Sequence, residues 1–132
     1  MTDLLHALPL RRSLAVDALV SSATGLLLAL GAGPLSTVLG LPEALLRWAG
    51  VSLLPFGGLV LLLARRESPR RPAVLAVAFC NALWALDSLL LLAFGTVSPT
   101  PLGSAFVVAQ ALVVGLFALA QYAGVRRSPA LA

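Results

Sequence analysis

The chain is 132 residues long, enough for one domain, and 60% of its residues are apolar while 11% are charged. Its mean hydropathy of +1.02 leaves too little polar surface to coat a water-soluble core of this size. The composition therefore predicts a single integral membrane domain over residues 1–132. The net charge of +4 comes from arginines that fall mainly in doublets, a pattern of membrane topology that argues against nucleic-acid binding.

Cysteine and histidine are too few for redox or metal chemistry within the chain. The single cysteine, Cys80, excludes an internal disulfide and a CxxC pair, and the single histidine, His6, excludes ligation of haem or zinc by paired histidines. We therefore expect no cofactor and no metal. Lysine is absent, so an enzyme would have to use Asp17 or Asp87 with Ser or Thr alone. We expect that the protein is not an enzyme.

Four apolar stretches are each long enough to cross a hydrocarbon core about 30 Å thick, which takes roughly 20 helical residues. They lie near residues 13–32, 44–64, 73–94 and 102–124. The glycines and prolines between residues 31 and 43 predict a loop after the first stretch. Short connections join antiparallel neighbours, so we expect an all-α, transmembrane four-helix bundle with up-down-up-down topology.

The arginines fall almost entirely on one side of the predicted membrane. Arg47 is alone on the opposite side, and the other eight share one side: Arg11, Arg12, Arg65, Arg66, Arg70, Arg71, Arg126 and Arg127. The positive-inside rule then predicts that both termini are cytoplasmic and that the protein lies in the inner (plasma) membrane of a bacterium. Recognition of anionic lipids is an alternative interpretation, because it uses the same electrostatics.

The first apolar stretch has a second interpretation. Arg11 and Arg12 precede an apolar run that ends in small residues, as in a signal peptide. The run is long and is interrupted by Asp17, unlike a compact signal sequence, so we expect a retained helix.

A tandem duplication of two helical hairpins is also an open interpretation. The run at 27–31 aligns with the run at 91–95, which sets Asp17 opposite Asn81. Short matches arise readily in a sequence rich in Leu and Ala, so the alignment alone does not decide it.

Polar side chains form stripes along three of the predicted helices. At 100° per residue, the polar residues of the first helix fall within about 60° of arc, and those of the third share about one third of its surface. The stripes comprise Asp17, Ser21 and Thr24 on the first helix, Cys80, Asn81, Trp84, Asp87 and Ser88 on the third, and Gln110 and Gln121 on the fourth. Polar groups at membrane depth should face the bundle interior, so we expect the first and third helices to meet there.

Three charged residues have competing interpretations. Asp17 lies close to one membrane edge. One interpretation is that it pairs there with an arginine and anchors the helix, and the other is that it binds a ligand. Asp87 is about 10 Å below the opposite edge, so it needs a cation or a proton. Arg47 is the only cation on that side, which leaves a structural Arg47–Asp87 pair and an active site as alternatives. The candidate ligand or ion pathway comprises Asp87, Asn81, Trp84, Ser88, Arg47, Gln110, Asp17, Ser21 and Thr24.

Small residues predict close helix packing. Ser21, Gly25, Ala29 and Gly33 repeat every fourth residue and admit close backbone approach. In the second helix, Pro55 predicts a kink that frees a carbonyl group.

Several short runs resemble uncharacterised small four-helix integral membrane proteins of bacteria. They are Gly40-Leu41-Pro42, Leu45-Leu46-Arg47, Leu53-Leu54-Pro55-Phe56, Asn81-Ala82-Leu83-Trp84, Asp87-Ser88 and Gln121-Tyr122. The resemblance spans nearly the whole chain and implies the fold but no activity. Small multidrug resistance transporters are similar in length and helix number only, because this chain has no intramembrane Glu. Sterol-binding bundles share an Asn-x-x-Trp pair like Asn81 and Trp84.

The sequence shows no pair of nucleophile and base that would indicate catalysis. We therefore expect a non-catalytic membrane module such as an accessory or scaffold subunit. The alternative is a small channel, carrier or ligand-binding bundle that uses a polar interior around Asp87, Asn81 and Trp84. The expected partners are membrane lipids, a second copy or another membrane protein, and a small ligand in the bundle interior. A continuous polar cavity would favour binding or transport, whereas a sealed interior would favour a scaffold.

Overall fold

A computed structural model describes the backbone of residues 2–127 and the side chains of residues 10–127. This part of the chain forms four helices in up-down-up-down order. They are α1 (Thr2–Leu39), α2 (Glu43–Ala64), α3 (Arg71–Ala93) and α4 (Pro101–Arg126). Each contains a segment long and apolar enough to cross a membrane. The structure thus confirms the predicted all-α, four-helix transmembrane class.

Helix α1 is longer than predicted. The expected loop between 31 and 43 is wrong, because the helix continues to Leu39 and the connection shrinks to residues 40–42. Non-helical dihedral angles at Gly31 (φ −104°, ψ 17°) mark a kink inside the helix. Pro34 explains the kink, since it has no N–H for the carbonyl of Leu30 and its ring crowds that carbonyl. The glycine and proline therefore bend the helix without ending it.

Helices α1 and α2 pack closely through small residues. A Cβ atom added to Gly50 would lie 2.7 Å from the carbonyl oxygen of Gly25, and one added to Gly57 would collide with Ser22. Only glycine permits backbones to approach this closely. The predicted role of Gly25 in close packing is confirmed, and α2 supplies the facing glycines. Helix α2 runs through Pro55 without interruption.

The four helices do not close into a complete ring. Helix α1 packs along α2 and also against α4, and α4 packs along α3, whereas α2 and α3 barely approach each other. The order around the bundle is therefore α2, α1, α4, α3. We call the open side between α2 and α3 the α2–α3 seam.

The bundle has two ends of different character. At the Arg-rich end, where α1 passes Leu10, α2 and α4 finish and α3 begins, one apolar cluster fills the interior. It comprises Leu10, Leu14, Ala18, Val60, Leu63, Ala64, Val74 and Val125. At the Arg-poor end a second cluster comprises Leu28, Ala32, Leu39, Leu41, Leu46 and Val107. The interior of the bundle is thus divided between two separate apolar clusters.

Thr100 joins two helices at the Arg-poor end. Its hydroxyl accepts the N–H of Gly103 at 3.0 Å, which caps α4, and donates to the carbonyl of Val38 at 2.9 Å. Its backbone N–H donates to the carbonyl of Leu39 at 3.0 Å. The start of α4 is thereby fixed to the end of α1. Gly40, with φ +68°, makes the turn that allows this contact.

Candidate functional site

A closed hydrogen-bond network surrounds Asp17 in the Arg-rich half of the bundle. The Asp17 carboxylate accepts the hydroxyl of Ser21 at 2.9 Å, the side-chain amide of Asn81 at 2.8 Å and that of Gln121 at 2.7 Å. Asn81 also donates to the side-chain oxygen of Gln121 at 3.0 Å. All four side chains are buried. The network joins α1, α3 and α4.

The surroundings of Asp17 differ from those expected for an anchor paired with arginine. Its exposed fraction is 0%, and the expected pairing with an arginine is not formed among residues 10–127. Three neutral hydrogen-bond donors, on Ser21, Asn81 and Gln121, contact the carboxylate in place of an arginine. A carboxylate that accepts several hydrogen bonds is stabilised without a salt bridge. The arrangement identifies Asp17 as an internal clamp between helices. It also confirms that the polar faces of α1 and α3 meet at Asn81.

A second polar pair lies nearer the Arg-poor end. The indole N–H of Trp84 donates to the side-chain oxygen of Gln110 at 2.9 Å, and the amide of Gln110 donates to the carbonyl of Val107 at 2.9 Å. These bonds hold the indole between α3 and α4. The hydroxyl of Ser88 turns back to the carbonyl of Trp84 at 2.7 Å, one turn earlier in the same helix.

Asp87 and Arg47 do not form the ion pair that the sequence allowed. Arg47 instead donates to Glu43 at 3.0 Å, and both side chains are about half exposed, 53% and 51%. Glu43 and Arg47 are four residues apart on α2, a spacing at which opposite charges meet. Asp87 is exposed and has no side-chain partner within residues 10–127. It lies six residues before the end of α3, about 9 Å along the helix.

Three cavities follow one another along the α2–α3 seam. The Asp87 cavity, in the Arg-poor half, has a volume of about 270 Å³. The middle cavity, about 210 Å³, lies beside the Asp17 network, since Ser21 and Asn81 both border it. The Arg cavity, at the Arg-rich end, has a volume of about 410 Å³. Leu53 and Trp84 border both of the first two cavities, and Phe56 and Cys80 border both of the last two.

The Asp87 cavity has a mainly apolar wall with few polar groups. Its polar residues are Thr24, Trp84, Asp87, Ser88 and Gln110, and its apolar residues are Leu28, Leu41, Leu45, Leu46, Ala49, Leu53, Leu91, Phe106 and Val107. All four helices contribute to it. Because Asp87 borders the cavity and is also exposed, its carboxylate lies at the opening of the cavity.

The structure divides the sequence-predicted residues between two places. The Asp17 network contains Asp17, Ser21 and Asn81, and the Asp87 cavity contains Thr24, Trp84, Asp87, Ser88 and Gln110. Arg47 borders neither. Gln121 belongs to a predicted polar stripe but not to the predicted site residues, although its eleven-residue spacing from Gln110 puts both on one face. Thr100 was missed, although Thr followed by Pro predicts a helix N-terminus.

Within the described residues, no three His, Cys, Asp or Glu side chains come together in a way that could hold a metal ion. Comparison with protein-family models, with curated proteins and with solved structures gives no match. The interpretation of the site therefore rests on its own geometry.

Proposed function

We propose that the chain is a non-catalytic protein of the bacterial inner membrane that binds an amphipathic molecule in the Asp87 cavity. The observation that carries this proposal is an exposed carboxylate at the opening of a mainly apolar cavity at membrane depth. Ionisable groups inside membranes are costly and mark ligand sites by default. Apolar cavities with a few convergent polar groups are the usual form of small-molecule sites.

The chemistry of the lining favours a ligand with a cationic end. Asp87 is the one charged group among the lining residues, and Arg47, the arginine of the Arg-poor half, is already paired with Glu43. The indole of Trp84 adds an electron-rich face that attracts cations. The leucines of α1 and α2 fit an aliphatic or ring portion of the ligand. Such a ligand would enter sideways from the lipid, through the α2–α3 seam.

Binding is favoured over conduction because the polar groups do not form one path. The Asp87 cavity and the middle cavity are distinct spaces, and Leu53 and Trp84 border both. Beyond that point the Asp17 network and the apolar cluster around Leu14 and Val60 fill the interior. A pore would need a polar lining that continues through both halves.

Titration of Trp84 fluorescence tests the proposed binding. A Trp48→Phe variant, in which Trp84 is the one tryptophan, is reconstituted in phosphatidylcholine vesicles, which add no tryptophan fluorescence. Dodecyltrimethylammonium is compared with dodecyl sulfate and dodecanol. We expect saturable binding of the ammonium probe that Asp87→Asn weakens about tenfold to hundredfold, because a charge-assisted contact is lost.

Two further variants separate cavity binding from partition into the bilayer. Ala49→Phe fills the Asp87 cavity and should abolish saturation, whereas Ala82→Phe, at an exposed position outside this cavity on α3, should leave it intact. Saturation that survives both Ala49→Phe and Asp87→Asn would reject the proposal.

The proposed orientation places both termini in the cytoplasm. It is supported by the eight arginines that share one end of the bundle, against Arg47 at the other. Reporter fusions at Thr100 and at Ala132 should read outside and inside, respectively. An Ala132 fusion that reads outside would reject this orientation.

A role as an accessory subunit is a second candidate, supported by α3. Only 17% of the membrane-spanning window of α3 is buried, and with α4 it forms a shallow apolar depression that includes Phe79 and Leu116. A partner helix could pack there. Copurification of one stoichiometric membrane protein, lost on Phe79→Ala with Leu116→Ala, would support this candidate, and recovery of the chain alone would contradict it.

A further inference from the structure

The Arg cavity combines an apolar cleft with two arginines at its end. It lies between α2 and α3, whose backbones come close at few positions, and has a volume of about 410 Å³. Its lining comprises Arg66, Arg70, Phe56, Leu59, Val60, Leu62, Leu63, Ala73, Ala76, Val77 and Cys80. The cleft is thus basic at the membrane edge and apolar at membrane depth.

The two arginines at the cleft are available to bind an anion. Within residues 10–127 neither one forms a salt bridge, and both are exposed. Two other arginines at the same end have partners: Arg11 donates to the carbonyl of Ala64 at 3.1 Å, and Arg126 lies over the ring of Tyr122 at 5.9 Å. The side chains of the remaining four arginines at this end have no partner within residues 10–127 and do not border the cleft. Arg66 and Arg70 are the arginines that border the cleft.

Besides the two arginines, the N-terminus of α3 is a second feature of the cleft that attracts anions. Arg70 occupies the N-cap position and makes no side-chain cap hydrogen bond. Pro72 has no N–H, so the N–H groups of Arg71 and Ala73 are the ones that lack a cap beside the two guanidinium groups. Helix N-termini favour anions, and guanidinium binds phosphate through paired hydrogen bonds.

We propose that the Arg cavity binds an anionic phospholipid. Its phosphate contacts Arg66 and Arg70, and one acyl chain lies in the α2–α3 seam along Leu59 and Leu62. From the N-cap residue Arg70 to Cys80 the cleft follows ten residues along α3, about 15 Å, which is half of a hydrocarbon core about 30 Å thick. The cleft therefore has the depth of one leaflet. This site is separate from the Asp87 cavity, and its lining shares no residue with it.

Lipid retention measured by native mass spectrometry tests this site. The protein is released from nanodiscs that contain equal amounts of phosphatidylglycerol and phosphatidylcholine with identical acyl chains. We expect the wild-type chain to retain phosphatidylglycerol severalfold over phosphatidylcholine. Arg66→Gln with Arg70→Gln should bring this ratio close to one, whereas Arg126→Gln with Arg127→Gln, which removes the same charge, should preserve it. Equal losses in the two double variants would overturn the proposal, because general attraction to a basic protein end would explain both.

A cleft-filling variant distinguishes a lipid from a free phosphate compound. Ala76 borders the cleft and is exposed, so Ala76→Phe fills the cleft while both arginines remain. It should abolish lipid retention, and Ala82→Phe should not. Retention that persists in Ala76→Phe and is displaced by soluble glycerol phosphate would show a headgroup site without an acyl-chain cleft and would overturn the lipid assignment. Unchanged thermal unfolding of each variant shows that its loss of lipid is not a loss of fold.

Discussion

Asp17 and Asp87 both lie on apolar helices, yet their surroundings are opposite. Asp17 is fully buried and accepts three hydrogen bonds, two of them from amides on α3 and α4. Asp87 is exposed at the opening of a cavity and has no side-chain partner within residues 10–127. The difference shows that a buried carboxylate needs donors from several converging helices, because no single helix can supply them all.

The open α2–α3 seam explains why hydrogen-bond donors surround Asp17 but not Asp87. Asp17 lies on α1, which packs against both α2 and α4, whereas Asp87 lies on α3, which packs mainly against α4. The helix that would cover Asp87 is α2, and α2 is held against α1 by Gly50 and Gly57. Close packing on one face of α2 thus leaves its other face open.

The largest expected effect comes from Asp17→Ala. It removes the acceptor shared by Ser21, Asn81 and Gln121, and leaves buried donors unpaired. We expect a loss of about 2–3 kcal/mol in the free energy of unfolding, measured by thermal or denaturant unfolding in one detergent. The matched control is Asp87→Ala, which should change stability by less than about 0.5 kcal/mol. Equal losses would show that the two aspartates play the same structural role.

The second-largest loss of stability is expected from Gly50→Ala, which tests the close packing of α1 against α2. Gly50→Ala places a methyl group 2.7 Å from the carbonyl oxygen of Gly25, so α1 and α2 must separate. We expect a loss of about 1–3 kcal/mol in the same unfolding measurement. Gly58→Ala is the control, because a Cβ there meets no atom within 4 Å. It should leave stability unchanged or raise it by up to about 1 kcal/mol, since Ala favours helix more than Gly. A destabilised Gly58→Ala with an unchanged Gly50→Ala would contradict this packing.

A smaller loss of stability is expected when the hydroxyl of Thr100, at the Arg-poor end, is removed. Thr100→Val removes the cap of α4 and the hydroxyl contact to Val38. We expect a loss of about 1 kcal/mol in unfolding free energy. Thr96→Val, which removes only a long, exposed bond of 3.4 Å to Leu91, should have no measurable effect. If both substitutions cost the same, the hydroxyl of Thr100 contributes nothing to the connection between α1 and α4.

The smallest effect is predicted for Arg47→Ala. It breaks a half-exposed pair with Glu43 on the same helix, and such pairs contribute at most about 0.5 kcal/mol. Glu43→Gln should have an equally small effect in the same unfolding assay. A loss comparable to that of Asp17→Ala would instead indicate that Arg47 pairs with Asp87 in the membrane.

Helix periodicity predicted most of the polar stripes but not their partners. It put Asp17 and Ser21 on one face and Gln110 and Gln121 on another, and the structure shows these residues facing inward. The i, i+4 spacing of Glu43 and Arg47 also carried enough information to predict their pairing. The Arg47–Asp87 pair, one of two alternatives from the sequence, is not formed, because depth in the membrane alone does not account for the nearer carboxylate of Glu43.

By itself, the sequence determined the membrane class, the four helices and the small residues that allow close packing on α1, because these follow from hydropathy, length and spacing along one chain. Only the tertiary structure decided that α1 bends at Gly31 and continues to Leu39, that α2 and α3 stay apart, and that Asp17 rather than Asp87 is enclosed. The physical reason is that periodicity fixes the direction of a side chain on its own helix. The helix that it meets is set by backbone approach at residues such as Gly25 and Gly50, which the sequence of either helix alone does not reveal.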